Sequence, residues 1–288
     1  MQLGPRLLAR FAAILAWLPA AATAASLDLV ATIPPYAMTA RAVAGGAAEV
    51  HVLVQRGQDP HHFEPSIAEM ARIQAADLVI RNGIGQQRVE GYLTEAVSSG
   101  QLFTVSETVS FDAIRDERGA VNGHIWLEPE VMIRAARALA ERLGELLPDR
   151  AEAFAANGER FIAAIRTADR KADALLSGLP VRKVVTYHPA FEYFFRHYGL
   201  EVAGTYLDLA GNEPAPRKIR DLLATIRRAG IPAVFREPQL PESAVRALAR
   251  EAGVRVAVLD PLGFDPAISG YPELIRYNAR QVHDAYTR

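Results

Sequence analysis

The stretch RAEAFAANGERFIAAIRTADRKADALL, residues 150–176, is the part of the sequence on which the fold prediction depends most. It contains no proline and one glycine, Gly158. Its apolar side chains recur at mostly helical spacing, at Phe154, Phe161, Ile162, Ile165 and Leu175. Such a helix would be about 40 Å long at 1.5 Å per residue, the length of a whole domain. Gly178-Leu179-Pro180 then ends it.

Short apolar strands alternate with helical patterns on both sides of this helix. Before it, strands are predicted at residues 27–32, 50–54, 78–81 and 102–105, with helices at 36–44, 66–74 and 89–97 and from 128 to about 147. After it, strands are predicted at 183–187, 201–206, 233–236 and 255–259, with helices at 191–198, 217–229, 242–252 and 272–286. Strands separated by helices of this length pair in parallel through right-handed crossovers.

The predicted fold class is therefore α/β, with two (β/α) lobes that have mainly parallel sheets and are joined by the long helix. The expected boundaries are 25–148 for the first lobe, 149–178 for the linking helix and 179–288 for the second lobe. Asp149 is a candidate N-cap for the linking helix. A core helix inside one large domain is the alternative. The alternation of strands and helices restarts immediately beyond residue 180, which favours a rigid helix that joins two lobes.

Residues 1–24 have the three parts of a secretion signal. Arg6 and Arg10 give a basic start, residues 11–18 form an unbroken apolar run, and Ala22-Thr23-Ala24 is a small-x-small cleavage site. The apolar run is too short to span a bilayer, which needs about 20 apolar residues. We therefore expect cleavage near Ala24 and a soluble periplasmic protein, rather than a buried N-terminal helix.

Composition excludes several classes of function. The chain has no cysteine, which excludes disulfides, thiolate metal sites and cysteine nucleophiles, as well as a lipid-modified cysteine at the cleavage point. Loss of Arg6 and Arg10 with the signal leaves 30 of the 32 basic residues against 33 acidic ones, a formal net charge of −3. Charges of both signs are interspersed, so no nucleic-acid partner is expected.

Four side chains able to bind a metal lie where predicted strands end or a predicted helix begins: His61, His124, His188 and Asp260. Open parallel sheets place ligand groups just beyond the carboxyl ends of their strands. Two of the four come from each half of the chain, so a cleft lined from both lobes could collect three imidazoles and one carboxylate. Spacing alone does not distinguish His61 from His62, and Asp260 before Pro261 is also typical of a turn.

Five segments carry a resemblance to a known family over nearly the whole chain beyond the signal. They are DPHHFEP at 59–65, GHIWLEP at 123–129, YHPAFEYF at 187–194, FREPQ at 235–239 and VLDPLG at 258–263. In this order and spacing they resemble the DPHxYEP, HxWLDP, H-[DP]-AFxYF, EPQ and LDPLG segments of the metal-specific solute-binding proteins of ABC importers, the ZnuA/TroA-like family. Phe63 for Tyr and Glu128 for Asp are conservative departures.

The resemblance implies that His61, His124, His188 and Asp260 are the metal ligands, with the metal in the inter-lobe cleft, and that His62 takes the variable position. It implies a periplasmic solute-binding protein for zinc transport, which captures one Zn²⁺ and delivers it to an ABC transporter permease in the inner membrane. We expect a monomer. Glu237, before Pro238, is a candidate for orienting a ligand, with a structural role at the strand end as the alternative.

His188, the third implied ligand, favours zinc over manganese, because manganese carriers of the family commonly have Glu at the corresponding position. Three neutral imidazoles and one carboxylate suit four-coordinate Zn²⁺ better than Mn²⁺. Many zinc carriers of the family insert a long His-rich loop before the HxW segment, whereas residues 111–123 are short and contain no histidine before the motif. A periplasmic metal-donating partner is one hypothesis for loading, and direct capture from solution is the simpler one.

Three other functions are weighed against a zinc carrier. A carrier of Mn²⁺ or another divalent metal would use the same fold. A zinc hydrolase would need an open coordination position and a general base, whereas four protein ligands can close the shell and no HExxH motif is present. An organic-solute-binding protein would need aromatic and Arg side chains at the strand ends. We therefore expect no enzyme, no catalytic residue and no cofactor besides the transported Zn²⁺.

Overall fold

The computed structural model describes residues 26–85, 88–209 and 211–288, so the predicted signal peptide lies outside the described residues. The strands are β1 (Leu27–Ala31), β2 (Ala48–Val52), β3 (Leu78–Arg81), β4 (Leu102–Thr104), β5 (Lys183–Thr186), β6 (Glu201–Thr205), β7 (Ala233–Arg236) and β8 (Arg255–Val258). The α-helices are α1 (Pro34–Ala44), α2 (Ile67–Ala75), α3 (Arg88–Ala96), α4 (Val105–Thr108), α5 (Pro129–Leu146), α6 (Ala151–Leu176), α7 (Glu192–His197), α8 (Pro216–Ala229), α9 (Ser243–Ala252) and α10 (Tyr271–Thr287).

The strands form two separate parallel sheets with the same order. The first sheet runs β2-β1-β3-β4 and the second runs β6-β5-β7-β8. The central strands are short apolar runs, such as LVIR in β3 and AVFR in β7, and are almost wholly buried because helices cover both faces. The edge strands β2 and β6 are more polar and more exposed. The predicted α/β class with two parallel sheets is confirmed.

Helix α6 packs against helices from both halves of the chain. It contacts α1 and α5, which flank the first sheet, and α10, which follows the second. Its one glycine lies where α6 meets α5, since a Cβ on Gly158 would come 3.2 Å from the Cβ of Ala140. Its 26 residues span about 40 Å. The predicted long helix is therefore present, and it contacts helices from both halves of the chain.

Two of the differences between the predicted and the observed elements concern the start of α6 and the end of β2. The predicted cap at Asp149 is wrong, because Pro148–Arg150 forms a 3-10 turn, α6 begins at Ala151 and no side chain caps it. The amide of Arg150 bonds instead to the carbonyl of Leu147 at 3.0 Å. Strand β2 ends at Val52 rather than at residue 54, although the amides of Leu53 and Val54 still donate to the carbonyls of Ala31, the last residue of β1, and of Thr32. In the described part of the chain, no helix combines the length and apolarity needed to cross a membrane.

A half-buried ion pair joins α6 to α7 and gives a pH-dependent prediction. Asp169 Oδ1 lies 2.8 Å from His197 Nε2 and accepts a hydrogen bond from the Tyr198 hydroxyl at 2.9 Å. Burial lowers the pKa of His197, but the hydrogen bond and charge of Asp169 outweigh it, so this pKa lies above 6.5. Burial raises the pKa of Asp169, but its partners outweigh burial and that pKa lies below 3.8.

We expect Asp169→Asn to lower the free energy of unfolding by about 1 to 2 kcal/mol at pH 5. The raised pKa of His197 gives stability that is complete below about pH 6.5 and is lost as the pH rises through the folded-state value. The lowered pKa of Asp169 gives stability that is present above about pH 4 and is lost in stronger acid. Urea unfolding at pH 5 and pH 9 measures this, with Asp173→Asn on the same helix as the control. An equal loss at both pH values would contradict the ion-pair account.

Candidate metal centre

Three of the four predicted ligands lie together. The ring centroids of His61, His124 and His188 are 5.6, 5.2 and 4.9 Å apart in the three pairwise combinations. One ring nitrogen of each histidine lies within 4.8 Å of a ring nitrogen of each of the other two. This spacing would allow all three side chains to bind one metal ion. His61 and His124 belong to the half with the first sheet and His188 to the half with the second. The cluster therefore joins the two halves.

A turn built on Asp59 turns His61 inward and His62 outward. Asp59 Oδ1 accepts a hydrogen bond from the amide of His61 at 3.0 Å, and its backbone carbonyl accepts one from the amide of His62 at 3.2 Å. The ring of His62 lies on the surface, with Nδ1 2.7 Å from Asp59 Oδ2. The structure thus distinguishes the two adjacent histidines that spacing left equivalent.

His124 is buried and its ring orientation is fixed by Asn122. Asn122 Oδ1 lies 2.7 Å from His124 Nδ1 and also accepts a hydrogen bond from the His124 amide at 3.0 Å. The ring lies 5.1 Å from that of Trp126. An Nδ1–H donor toward Asn122 leaves Nε2 with a free lone pair, which is the form of imidazole that binds a metal.

His188 lies two residues beyond the end of β5 and is held by Glu237, which directly follows β7. Glu237 Oε1 lies 3.1 Å from His188 Nδ1, and Gln239 Nε2 donates to Glu237 Oε2 at 2.7 Å. A carboxylate on Nδ1 makes Nδ1 the donor and leaves Nε2 with the lone pair. Nε2 of His188 is buried and has no hydrogen-bond partner among the described residues. A buried polar atom without a partner costs free energy, which a bound cation would remove.

The electrostatics of the cluster favour neutral imidazoles. Burial, together with the nearby His188, lowers the pKa of His61 to about 4, while Asp59 acts in the opposite direction. Burial also lowers the pKa of His124 well below 6.5, and the other two histidines add to this effect. Only a neutral imidazole has a lone pair to donate to a metal, so the lowered pKa values of His61 and His124 keep these two rings in the form that binds one.

Asp260 is buried beyond β8 and lies outside the group of clustered ligand atoms. Its Oδ1 accepts hydrogen bonds from the amides of Leu262 and Gly263 at 3.0 and 2.8 Å, and its Oδ2 accepts one from the amide of Asp265 at 2.8 Å. Burial raises its pKa, and these amides act against the shift. Asn278 Oδ1 accepts a hydrogen bond from the amide of Asp260 at 2.8 Å, and Asn278 Nδ2 donates one to the carbonyl of Asp260 at 2.9 Å. These bonds hold the loop that carries Asp260, and its carboxylate oxygens are not among the clustered ligand atoms.

The space at the histidines is small. A cavity of about 30 Å³ is lined by His61, Gly85, Ala120, Val121, Gly123, His124 and Leu209. This is the volume of about one water molecule, whereas drug-sized ligands need roughly 300–1,000 Å³. Gly123 is needed there, because a Cβ would come 2.8 Å from both the Cα of Gly85 and the carbonyl oxygen of Ile84. A larger cavity of about 460 Å³ adjoins it at Leu209 and is lined by side chains of both charges, among them Arg115, Glu117, Asp208 and Lys218.

Sequence reasoning missed one residue of this site and left another open. Asn122 was not singled out, although its place two residues before His124 allows it to reach back to that ring. For Glu237 the sequence left two roles open, orienting a ligand or a structural role at the strand end. Its contact with Nδ1 of His188 corresponds to the role of orienting the ligand. Sequence could have singled out Asn122 as a polar residue two places before a candidate ligand and Glu237 as a polar residue at a predicted strand end, but not their partners.

The chain is similar to known proteins in both sequence and structure. The profile of the family described as zinc-uptake complex component A, periplasmic (ZnuA), matches residues 29–285. Zinc-binding protein AdcA of Streptococcus pyogenes is 26% identical over 259 residues, 82% of this chain but 50% of AdcA, so the chain spans about half the length of those relatives. A putative metal-binding protein of Thermotoga maritima is 30% identical over 260 residues, 89% of this chain and 92% of that protein.

Solved structures share the whole architecture. A crystal structure of ZnuA superposes with a TM-score of 0.81 at 27% identity, covering 91% of this chain and 100% of that one. The solute-binding protein FpvC of Pseudomonas aeruginosa, solved in complex with Ni²⁺, superposes with a TM-score of 0.78 at 26% identity, covering 91% of this chain and 97% of FpvC. FpvC has also been solved with Mn²⁺. Proteins similar to this chain thus hold different divalent metals.

Proposed function

The chain belongs to the ZnuA family of metal-binding solute-binding proteins, whose members are not enzymes, and from this membership we propose that it is a carrier that captures one Zn²⁺ ion for import. The family expected from the five sequence segments is therefore confirmed, as is the expectation that the chain is not an enzyme. The identity of the metal, its ligands and its delivery are the parts that we propose.

The observation that carries the proposal is the unpartnered Nε2 of His188. This nitrogen is buried in a group of three imidazoles, and Glu237 on the opposite nitrogen directs its lone pair into that group. A cation is the partner that three converging lone pairs need, because each imidazole is an acceptor at that position. The cavity of about 30 Å³ has room for an ion and not for an organic solute.

We assign His61, His124, His188 and Asp260 as the ligands. Asp260 is supported by its neighbour: Trp126, two residues after His124, donates from Nε1 to the carbonyl oxygen of Pro261 at 2.8 Å. That bond holds the segment with Asp260 against the segment with His124. A carboxylate adds the negative charge that three neutral imidazoles lack, and it completes four-coordination.

Zinc is the proposed metal because of the donor set. Three nitrogen donors and one oxygen donor suit Zn²⁺, whereas Mn²⁺ prefers oxygen. Ni²⁺ and Cu²⁺ also bind imidazole well, so the donor set favours zinc mainly over manganese. A carrier of another divalent metal is the second candidate, supported by FpvC, which has been solved with Ni²⁺ and with Mn²⁺.

The proposed path of the metal follows from the family. The chain acts in the periplasm as a monomer after cleavage near Ala24, and its loaded form docks on the permease of an ABC importer. Residues 25–148 and 179–288 are the two lobes and residues 149–178 are the link. Loading is direct or through a metal-donating protein, and a pull-down that finds no metal-transferring partner would support direct capture.

Metal competition tests the function. Residues 25–288 are dialysed against equal concentrations of Zn²⁺, Mn²⁺ and Ni²⁺, and the retained metal is measured by mass spectrometry. We expect one Zn²⁺ per chain and almost no Mn²⁺, because a site rich in imidazole nitrogen favours zinc over manganese. Preferential retention of Mn²⁺ or Ni²⁺ would establish the second candidate instead. Retention of no metal at all would contradict a metal carrier.

A further inference from the structure

Asn122 lies between the two halves of the histidine cluster, and each polar atom of its side chain has two partners. Its Oδ1 accepts from the backbone amide of His124 and from Nδ1 of that ring. Its Nδ2 donates to the carbonyl oxygen of Pro189 and to Oε2 of Glu192, at 2.8 Å in each case. The residue is completely buried. All four hydrogen-bonding positions of this amide are therefore used.

These partners allow only one orientation of the amide. A flipped side chain would set its N–H groups against the amide N–H of His124 and its oxygen against the carbonyl of Pro189, so donors would face donors and acceptors would face acceptors. The oxygen therefore faces His124, and Nδ1 of that ring must carry the proton. Nε2 is left as the nitrogen with the lone pair.

The same residue reaches the other half of the cluster. Pro189 directly follows His188, so the bond from Asn122 to the Pro189 carbonyl holds the segment that carries this second histidine. Tyr193, in α7, donates its hydroxyl hydrogen to the backbone carbonyl of Asn122 at 2.9 Å. Two histidines from opposite halves are thus held relative to each other by one buried asparagine.

We propose that Asn122 is a positioning residue for metal capture: it sets the tautomer of His124 and ties His124 to the segment of His188, so that both ligands are arranged before the ion arrives. This inference rests on the proposed function of the site. It predicts that Asn122 contributes to zinc affinity although it does not touch the ion.

Two substitutions separate the two parts of this role. Asn122→Ala removes both sets of bonds, and we expect it to weaken zinc binding by about 10- to 100-fold, the usual effect of losing a group that orients a ligand. Asn122→Asp keeps an acceptor for His124 but has no N–H group for Pro189 or Glu192. We expect it to preserve the tautomer of His124, to lose the hydrogen bonds to the segment of His188, and to weaken zinc binding. Asn157→Ala, which removes a bond from α6 to the Val43 carbonyl outside the cluster, is the matched control and should leave the affinity unchanged.

Nitrogen-15 spectra of the histidine rings give a readout that a general loss of stability does not produce. Without metal, we expect His124 of the parent protein in the Nδ1–H tautomer, unchanged in Asn122→Asp and shifted toward a mixture in Asn122→Ala. An Nε2–H tautomer in the parent overturns the inference even if no variant folds, and so do folded variants that bind zinc as tightly as the parent. A parent protein that binds no zinc overturns the proposed function instead, and the tautomer of His124 still tests the geometry.

Discussion

Replacement of His188 by alanine is expected to weaken zinc binding by on the order of 100- to 1000-fold. Apparent zinc-binding free energies of roughly 10–16 kcal/mol in four-ligand sites correspond to roughly 2.5 to 4 kcal/mol for each ligand. His188 contributes the one buried ring nitrogen of the cluster that has no partner in the described part of the chain, and its removal also leaves Glu237 facing an empty space. Affinity is measured by titration against a competing chelator.

His62→Ala is the matched control for this experiment. His62 is adjacent to a proposed ligand in the sequence, but its side chain is 73% exposed and bonds to Asp59 outside the cluster. We expect the control to bind zinc as the parent does. Equal affinities for His188→Ala and the parent would contradict the ligand assignment. An equal loss in both variants would indicate a general disturbance of the protein rather than the loss of a ligand at His188.

Replacement of Trp126 by alanine is expected to lower the free energy of unfolding by about 3 to 5 kcal/mol, the usual cost of truncating a buried tryptophan. The side chain is 1% exposed and packs edge-on against Tyr36, with ring centroids 6.3 Å apart. Its Nε1 donates to the carbonyl oxygen of Pro261, and its own carbonyl accepts from the hydroxyl of Tyr271 at 2.7 Å. Trp126 therefore links the segment with His124 to the loop and helix that follow β8.

Trp126→Phe separates packing from the hydrogen bond. Phenylalanine keeps most of the apolar volume but has no donor for Pro261, so we expect a smaller loss of about 1 to 3 kcal/mol. Urea unfolding of the metal-free proteins measures both variants. A loss below 1 kcal/mol for Trp126→Ala would contradict a buried link between the two halves at this position.

The fold could be predicted from the sequence because it depends on local patterns. Runs such as residues 78–81 and 233–236 are too short and too apolar to be anything but buried strands between helices, and both were predicted with the observed bounds. The start of α6 could not be predicted, because Asp149 lies inside the 3-10 turn Pro148–Arg150 and α6 begins only at Ala151, without a side-chain cap. Strand order also depends on contacts that no single segment contains.

The site could be predicted only as far as residue types and resemblance allow. The four ligand candidates were found from their places beside strands and helices, and the choice of His61 over His62 rested on resemblance. That choice depends on a turn in which the carboxylate of Asp59 bonds to the His61 amide. The role of Asn122 could not be predicted, because its partners Pro189 and Glu192 lie 67 and 70 residues further along the chain.

Anomalous diffraction from zinc-loaded crystals of residues 25–288 tests the central claim most directly. Data collected on both sides of the zinc absorption edge should show one strong peak per chain. We expect that peak at about 2.0 to 2.2 Å from a ring nitrogen of each of His61, His124 and His188 and from the carboxylate of Asp260. A zinc peak elsewhere on the chain, or none within bonding distance of the three histidines, would contradict the account.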